Sequence, residues 1–161
     1  MAERYFPLYV SMKGKRCQIY GGGPIAARRA GALLRFGAAV CVTAPEICDA
    51  IRQYRLQYPG QCQLREEEYR PGMTEADFVL ACTDDEKVQE EIYRECRSLG
   101  IPVNLASDQS KCDFFFPALV EQEELVIGVC SSGKDHSRVR RLAQRLRLWL
   151  AEQEGISASG K

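Results

Sequence analysis

The stretch RCQIYGGGPIAARRAGALLRFGAAVCVT, Arg16 to Thr43, constrains the fold more than any other part of the chain. An apolar run of strand character, Arg16 to Tyr20, enters three consecutive glycines. From Pro24 to Phe36 the residues Ile25, Ala26, Ala30, Leu33 and Leu34 recur at helical spacing. Gly37 stands where a helix-ending glycine belongs, and Ala39 to Thr43 (AVCVT) is a second strand punctuated by Pro45. Gly21-Gly22-Gly23-Pro24-Ile25-Ala26 fits G-x-G-x-x-[GA], with a strand before it and a helix after it. In that motif the first glycine allows the tight turn. The second lets the backbone approach a pyrophosphate, and the small residue at Ala26 lets helix and strand pack closely. The helix N-terminus adds partial positive charge directed at the phosphates. A glycine turn serving close packing alone is the other reading of the same residues.

Pro24 suits the first position of a helix, where its missing N–H would be unpaired anyway. In a phosphate cradle that N–H is one donor fewer, at a cost of about 1–3 kcal/mol if it were used. The N–H groups of Gly22, Gly23 and Ile25 remain. An acidic residue is expected about 20 residues on, at the end of the second strand, to take the ribose hydroxyls. Glu46, behind Thr43, Ala44 and Pro45, is that candidate. Its charge would repel a 2′-phosphate, which favours NAD over NADP.

Strand and helix continue to alternate. Glu46 to Tyr54 reads as a helix, Cys62 to Leu64 as a third strand, and Asp77 to Thr83 (DFVLACT) as a strand covered on both faces. Asp85 to Leu99 is a helix with Asp84 as N-cap and Gly100 at its end, and Ile101 to Leu105 is the next strand. This alternation predicts an α/β, Rossmann-type doubly wound parallel sheet over residues 1–112. After Cys112 the pattern changes. Phe114 to Val120 and Leu125 to Cys130, joined by EQEE, read as a hairpin, and a basic helix runs from Ser137 to Glu152. Residues 113–153 are therefore expected to form a small α+β region, and 154–161 a disordered tail.

Composition excludes rather than selects. Lys plus Arg and Asp plus Glu number 22 each, so no global charge points to nucleic acid or an anionic membrane. No apolar run approaches the roughly 18 residues of a spanning helix, and the N-terminal stretch has no signal-peptide core, so a cytoplasmic protein is expected. Eight cysteines include no C-x-x-C pair, and there is one histidine. That argues against a dedicated zinc site and for buried, reduced thiols, with Cys17, Cys41, Cys82 and Cys130 in strand-like runs.

Taken together, YFPLYVSMKGKRCQIYGGGPIAARRAGALLRFGAAVCVTAPE, DFVLACTDD, GIPVNLASDQSKCDFFFPALVEQEELVIGVCSSGK and RRLAQRL resemble the precorrin-2 dehydrogenase/sirohydrochlorin ferrochelatase family. These are the NAD-dependent enzymes of sirohaem synthesis. The resemblance implies a dinucleotide-binding domain followed by a homodimerisation region, the role left for the hairpin and basic helix. It implies oxidation of precorrin-2 to sirohydrochlorin with NAD as cofactor, and in some members insertion of ferrous iron as a chelatase substrate. Family members continue into a further helical segment that would complete the substrate pocket. Carried over by position, the cofactor site comprises Gly21, Gly22, Gly23, Pro24, Ile25, Thr43, Pro45, Glu46, Thr83 and Asn104.

Three departures from the family matter, of which Pro24 is one. The family aspartate of VNVVDD is Ser107 here, with Asp108 next, and a serine is a poor general base without an activating neighbour. The family turn Ser-Thr-Gly-Gly-Lys-Ser-Pro reads Ser131-Ser132-Gly133-Lys134-Asp135-His136, one glycine shorter. Ser107, Asp108 and His136 are the catalytic candidates, and Ser131, Ser132, Gly133, Lys134, Arg138 and Arg141 the substrate-binding ones. Arg138, Arg141 and Arg145 share a helical face suited to a polycarboxylate. Val139, Leu142, Leu146 and Trp149 are the expected apolar stripe. His136, the single histidine, stands beside Asp135 in this turn, where the aspartate could orient it. A catalytically degenerate dinucleotide- and tetrapyrrole-binding partner of the same pathway is the alternative these departures raise.

Overall fold

A computed structural model describes residues 5–131 and 135–158. They form two compact units. The first, from Leu8 to Phe114, holds a five-stranded sheet and three helices. Its strands are β1 (Arg16–Tyr20), β2 (Ala39–Thr43), β3 (Cys62–Arg65), β4 (Phe78–Ala81) and β5 (Val103–Leu105), in the order β3-β2-β1-β4-β5. Every pairing is parallel: Ile19 lies against Val42 on one side and Leu80 on the other. The helices are α1 (Pro24–Arg35), α2 (Asp49–Gln57) and α3 (Glu86–Leu99). Right-handed crossovers place α1 and α2 on one face and α3 on the opposite one, because strand order reverses after β1.

Double cover explains the unbroken apolar strands. Ile19, Val42, Val79 and Val103 are completely buried. Beneath α3 the core joins Tyr20, Val79, Ala81, Ile92, Cys96 and Val103. The Tyr20 hydroxyl pairs with the Thr74 hydroxyl at 2.8 Å, and its ring meets Tyr69 edge-on at 5.0 Å. Tyr69 and the Thr74 amide both donate to Glu95 on α3, pinning the long β3–β4 connection to the helix.

The last strand is covered by side chains. Val103 N–H donates to the Asp113 carboxylate at 2.9 Å and Leu105 N–H to Cys112 Sγ at 3.1 Å. These acceptors occupy the outer edge of β5 in place of a sixth strand.

The elements depart from expectation at their ends. Helix α2 begins at Asp49 instead of Glu46, because the chain bends at Pro45 and Glu46 and is then tied to the glycine loop: Cys48, itself extended, donates its N–H to Gly22 O at 2.9 Å. The N-cap of α3 is Asp85, not Asp84. Asp85 accepts from the amides of Lys87 and Val88 at 2.9 and 3.2 Å. Asp85→Ala is therefore expected to cost about 1 kcal/mol in urea denaturation, and Asp84→Ala next to nothing. The reverse ranking would move the cap back to Asp84.

The second unit comprises Tyr5–Pro7 with the residues from Phe115 onward. Strands β6 (Ala118–Gln122) and β7 (Leu125–Val129) form an antiparallel hairpin against helix α4 (His136–Ala158). β7 begins at Leu125 as expected, whereas β6 starts at Ala118 instead of Phe114 and runs two residues into EQEE, leaving Glu123 at φ 48° in the two-residue turn. Ala143, Leu146 and Leu150 of α4 pack against the hairpin, whereas Leu142 and Trp149 of the expected stripe are 45% and 54% exposed. Val120 and Ile127 of the hairpin set that register by receiving Ala143 and Leu150. The helix also continues through Ala158, into the segment expected to be a disordered tail, where EGISA contains no proline to stop it. Residues 159–161 lie outside the described residues.

Of the cysteines, Cys17, Cys62 and Cys96 are buried, and burial pushes the Cys17 and Cys96 thiols up to about 12. Cys130 is exposed, because β7 ends one residue before it.

Candidate dinucleotide site

In an open parallel sheet, ligands bind beyond the carboxyl ends of the strands where strand order reverses. Here that point lies between β1 and β4, and the glycine loop occupies it. Gly21 closes the turn at φ 117°, its N–H donating to Thr43 O at 2.9 Å. A Cβ there would lie 2.6 Å from the Cys82 carbonyl carbon. Gly22 is pressed against the β2–α2 connection, where an added Cβ would come within 1.9 Å of Glu46 O. Gly23 differs from both, with φ −87° and nothing within 4 Å of its notional Cβ. The three glycines thus divide their work: two admit neighbouring backbone, and the third faces open space.

Gly23 is the N-cap of α1 and Pro24 its first residue, as the sequence predicts. Ala27 N–H makes the first backbone bond of the helix, to Gly23 O at 3.0 Å. The amides of Gly22, Gly23, Ile25 and Ala26 donate to no backbone carbonyl in the described residues. These donors, the helix dipole and the unfilled space at Gly23 fit a pyrophosphate. Asn104 adds a second feature that a bound donor would satisfy. It is 3% exposed on β5, its Nδ2 donates to Phe114 O at 2.7 Å, and its Oδ1 is buried with no hydrogen-bond partner. A dinucleotide, rich in amide and hydroxyl donors, fits such an acceptor.

The remaining cofactor candidates sit around this loop in different ways. Thr43 is 2% exposed, and its hydroxyl accepts from Gln18 Nε2 at 3.0 Å inside the sheet. It shapes the turn through its carbonyl. Pro45 and Glu46 are exposed just beyond β2. Thr83, just past β4, accepts through its carbonyl from Gln89 Nε2 at 2.5 Å. Beside it, Arg29 of α1 donates to Cys82 Sγ at 3.4 Å.

Of the catalytic candidates, Ser107 and Asp108 lie just past β5, after Ala106. Ser107 donates to Gln89 Oε1 at 2.7 Å. Asp108 caps a single 3-10 turn, Gln109–Lys111, accepting from the Ser110 amide and hydroxyl at 3.0 and 2.6 Å. The Ser110 hydroxyl, with help from Lys111, holds the Asp108 carboxyl below the usual carboxylate range. A charge chain continues from it: Lys111 Nζ lies 3.5 Å from Asp108 and 2.8 Å from Glu90, which also takes Arg94 at 2.9 Å.

His136, Ser131, Arg138 and Arg141 belong to the other unit. Asp135 N–H donates to Ser131 Oγ at 3.0 Å, and Asp135 Oδ1 accepts from Arg138 N–H at 2.7 Å. His136 is exposed in the first turn of α4, and Arg138 and Arg141 are exposed further along it. Ser132, Gly133 and Lys134 lie outside the described residues. Among the described residues no three His, Cys, Asp or Glu side chains gather as a metal site.

Sequence reasoning missed Gln89. The signal was present: a glutamine on the same helical face as Ile92 and Cys96, both completely buried. It also left the glycine at position 22 unexplained, because the Glu46 backbone that requires it is distant in sequence.

The fold and the loop define an α/β dinucleotide-binding domain. Residues 8–118 match the family model described as "Putative NAD(P)-binding", and the chain belongs to that family. It is 34% identical over 155 residues to a siroheme synthase of Photorhabdus laumondii, covering 96% of this chain and 33% of that protein. It is 36% identical over 152 residues to siroheme synthase 1 of Halorhodospira halophila, covering 94% and 31%. The chain thus spans about a third of the length of these curated relatives. Among solved structures, SirC, a precorrin-2 dehydrogenase, superposes with a TM-score of 0.72 over 88% of this chain and 69% of that one, at 24% identity, which shows the shared fold. No helix among the described residues is long and apolar enough to cross a membrane.

Proposed function

We propose that the protein is an NAD-dependent precorrin-2 dehydrogenase, oxidising precorrin-2 to sirohydrochlorin in sirohaem synthesis. The observation that carries this reading is the glycine loop at the strand reversal, with free amides, unfilled space at Gly23 and an unpaired Asn104 acceptor, in a chain whose relatives are siroheme synthases. The bound nicotinamide would supply the two-electron acceptor. The chain supplies the rest. The amides of Gly22, Gly23, Ile25 and Ala26 hold the pyrophosphate, and the Glu46 carboxylate beyond β2 takes the ribose hydroxyls and disfavours a 2′-phosphate. Asp108, whose carboxyl is held below the usual carboxylate range, is the proposed acceptor of the proton that leaves precorrin-2, directly or through water.

In the second unit, Arg138 and Arg141 suit the substrate's carboxylates, and His136, Ser131, Ser132, Gly133 and Lys134 extend the proposed contact surface. That unit is also the proposed homodimerisation region. Ferrous iron enters the proposal as a chelatase substrate only.

Incubation with precorrin-2 and NAD should give the sirohydrochlorin absorbance, with NADP a much poorer cofactor. Folded protein that binds NAD and yields no product rejects the dehydrogenase reading. One observation favours the alternative of a binding partner without turnover: the Ser107 proton is given to a neutral amide oxygen, not to a base.

A further inference from the structure

A buried polar side chain beside the candidate residues has no role in the proposed chemistry. Gln89 of α3 is 3% exposed, yet it joins the carboxyl ends of two strands. Its Nε2 donates to Thr83 O beyond β4, and its Oε1 accepts from Ser107 Oγ beyond β5. A carbonyl oxygen can only accept, so Thr83 decides which end of the amide faces which way. The end turned to Ser107 is then an acceptor, and the Ser107 hydroxyl must donate to it.

We infer that Gln89 is a positioning residue: it commits the Ser107 proton inward, leaves Ser107 as a hydrogen-bond acceptor towards solvent and substrate, and closes position 107 to an ionised side chain in this contact. The inference deepens the dehydrogenase reading and rests on it for the substrate. A neutral amide does not take up a proton, so Ser107 is neither a general base nor an activated nucleophile. Its lone pairs remain available to an N–H donor, the group that the pyrrole rings of a tetrapyrrole carry. The aspartate found here in the resembling family would set a carboxylate oxygen against Gln89 Oε1. It keeps the contact only as the protonated acid.

Ser107→Asp and Ser107→Asn, with thermal unfolding followed from pH 4 to pH 8, test this. Asparagine can donate to Oε1 at every pH; aspartate can do so only when protonated. The charged neighbours are common to both variants: Asp108 on the same loop, Lys111 on the 3-10 turn, Glu90 and Arg94 on α3, and the nearby Cys112 thiol, which burial pushes up. A carboxyl whose folded pKa is raised contributes fully below its unfolded value of about 3.9. As pH rises the unfolded state ionises first, so stability is lost until the folded pKa is passed. The expected result is a gap between the variants that opens with pH, to about 2–4 °C or more. A gap constant with pH overturns the inference.

Should Ser107→Asp not fold, Gln89→Glu against Gln89→Met decides. The introduced carboxyl must keep a proton to face the Thr83 carbonyl, so the deficit of Gln89→Glu should grow with pH, whereas that of Gln89→Met should not. Parallel deficits overturn the inference. None of these readouts needs turnover, so failure of the dehydrogenase reading is separately visible.

Discussion

Gly22→Ala is expected to abolish dinucleotide binding and to destabilise the protein by about 3 kcal/mol or more, the upper range for forcing an atom into occupied space. The added methyl, whose position the backbone fixes, would sit 1.9 Å from the backbone carbonyl oxygen of Glu46, so no rotamer change relieves it. Relief requires moving the β2–α2 connection, which breaks the Cys48 to Gly22 hydrogen bond and carries Glu46 away from the proposed ribose contact. Gly23→Ala is the matched control. Its backbone is unstrained and its Cβ meets nothing, so stability should stay within about 0.5 kcal/mol. The same methyl fills the approach a pyrophosphate needs, so the dissociation constant for NADH, read by fluorescence, should rise at least about tenfold, or 1.4 kcal/mol. Unchanged NADH affinity in Gly23→Ala would falsify the assignment of the phosphate to this space.

Asp108→Asn should lower turnover of precorrin-2 by about 10²–10⁴-fold, the contribution of a positioned general base. Asparagine keeps an oxygen to accept from Ser110, so the 3-10 turn and the NAD affinity should survive. The Ser110 hydroxyl keeps the native carboxyl ionised to lower pH than an ordinary aspartate. Activity limited by this group should therefore be flat through neutrality and fall only in acid, below the usual carboxylate range. A variant that turns over at the native rate shows that the proton passes straight to water.

The sheet was legible because its cover on both faces turns strands into plain apolar runs. Arg16–Tyr20 and Ala39–Thr43 need no tertiary knowledge to be read as strands. Pro24 and Gly100 marked helix ends through backbone rules that act locally. The errors fell where a distant partner decides. The segment before α2 is kept out of the helix by the Cys48 bond to Gly22, and the inner face of α4 is set by Val120 and Ile127. Choosing Asp85 over Asp84 as cap is a one-residue matter of backbone angle that two adjacent aspartates cannot reveal. The site divides in the same way. The glycine loop is a contiguous motif and was readable; the Gln89 bridge joins residues six and eighteen positions away and was not.

The cover over β5 has a consequence for how the protein behaves when crowded. A foreign strand adding at that side would have to expel Asp113 and Cys112 from the amides of Val103 and Leu105 and replace both bonds. Each vacated donor costs about 1–3 kcal/mol until it is replaced. Templated growth of the sheet is therefore discouraged at β5, so fibril-type recruitment, where it occurs, is directed to the opposite margin at β3.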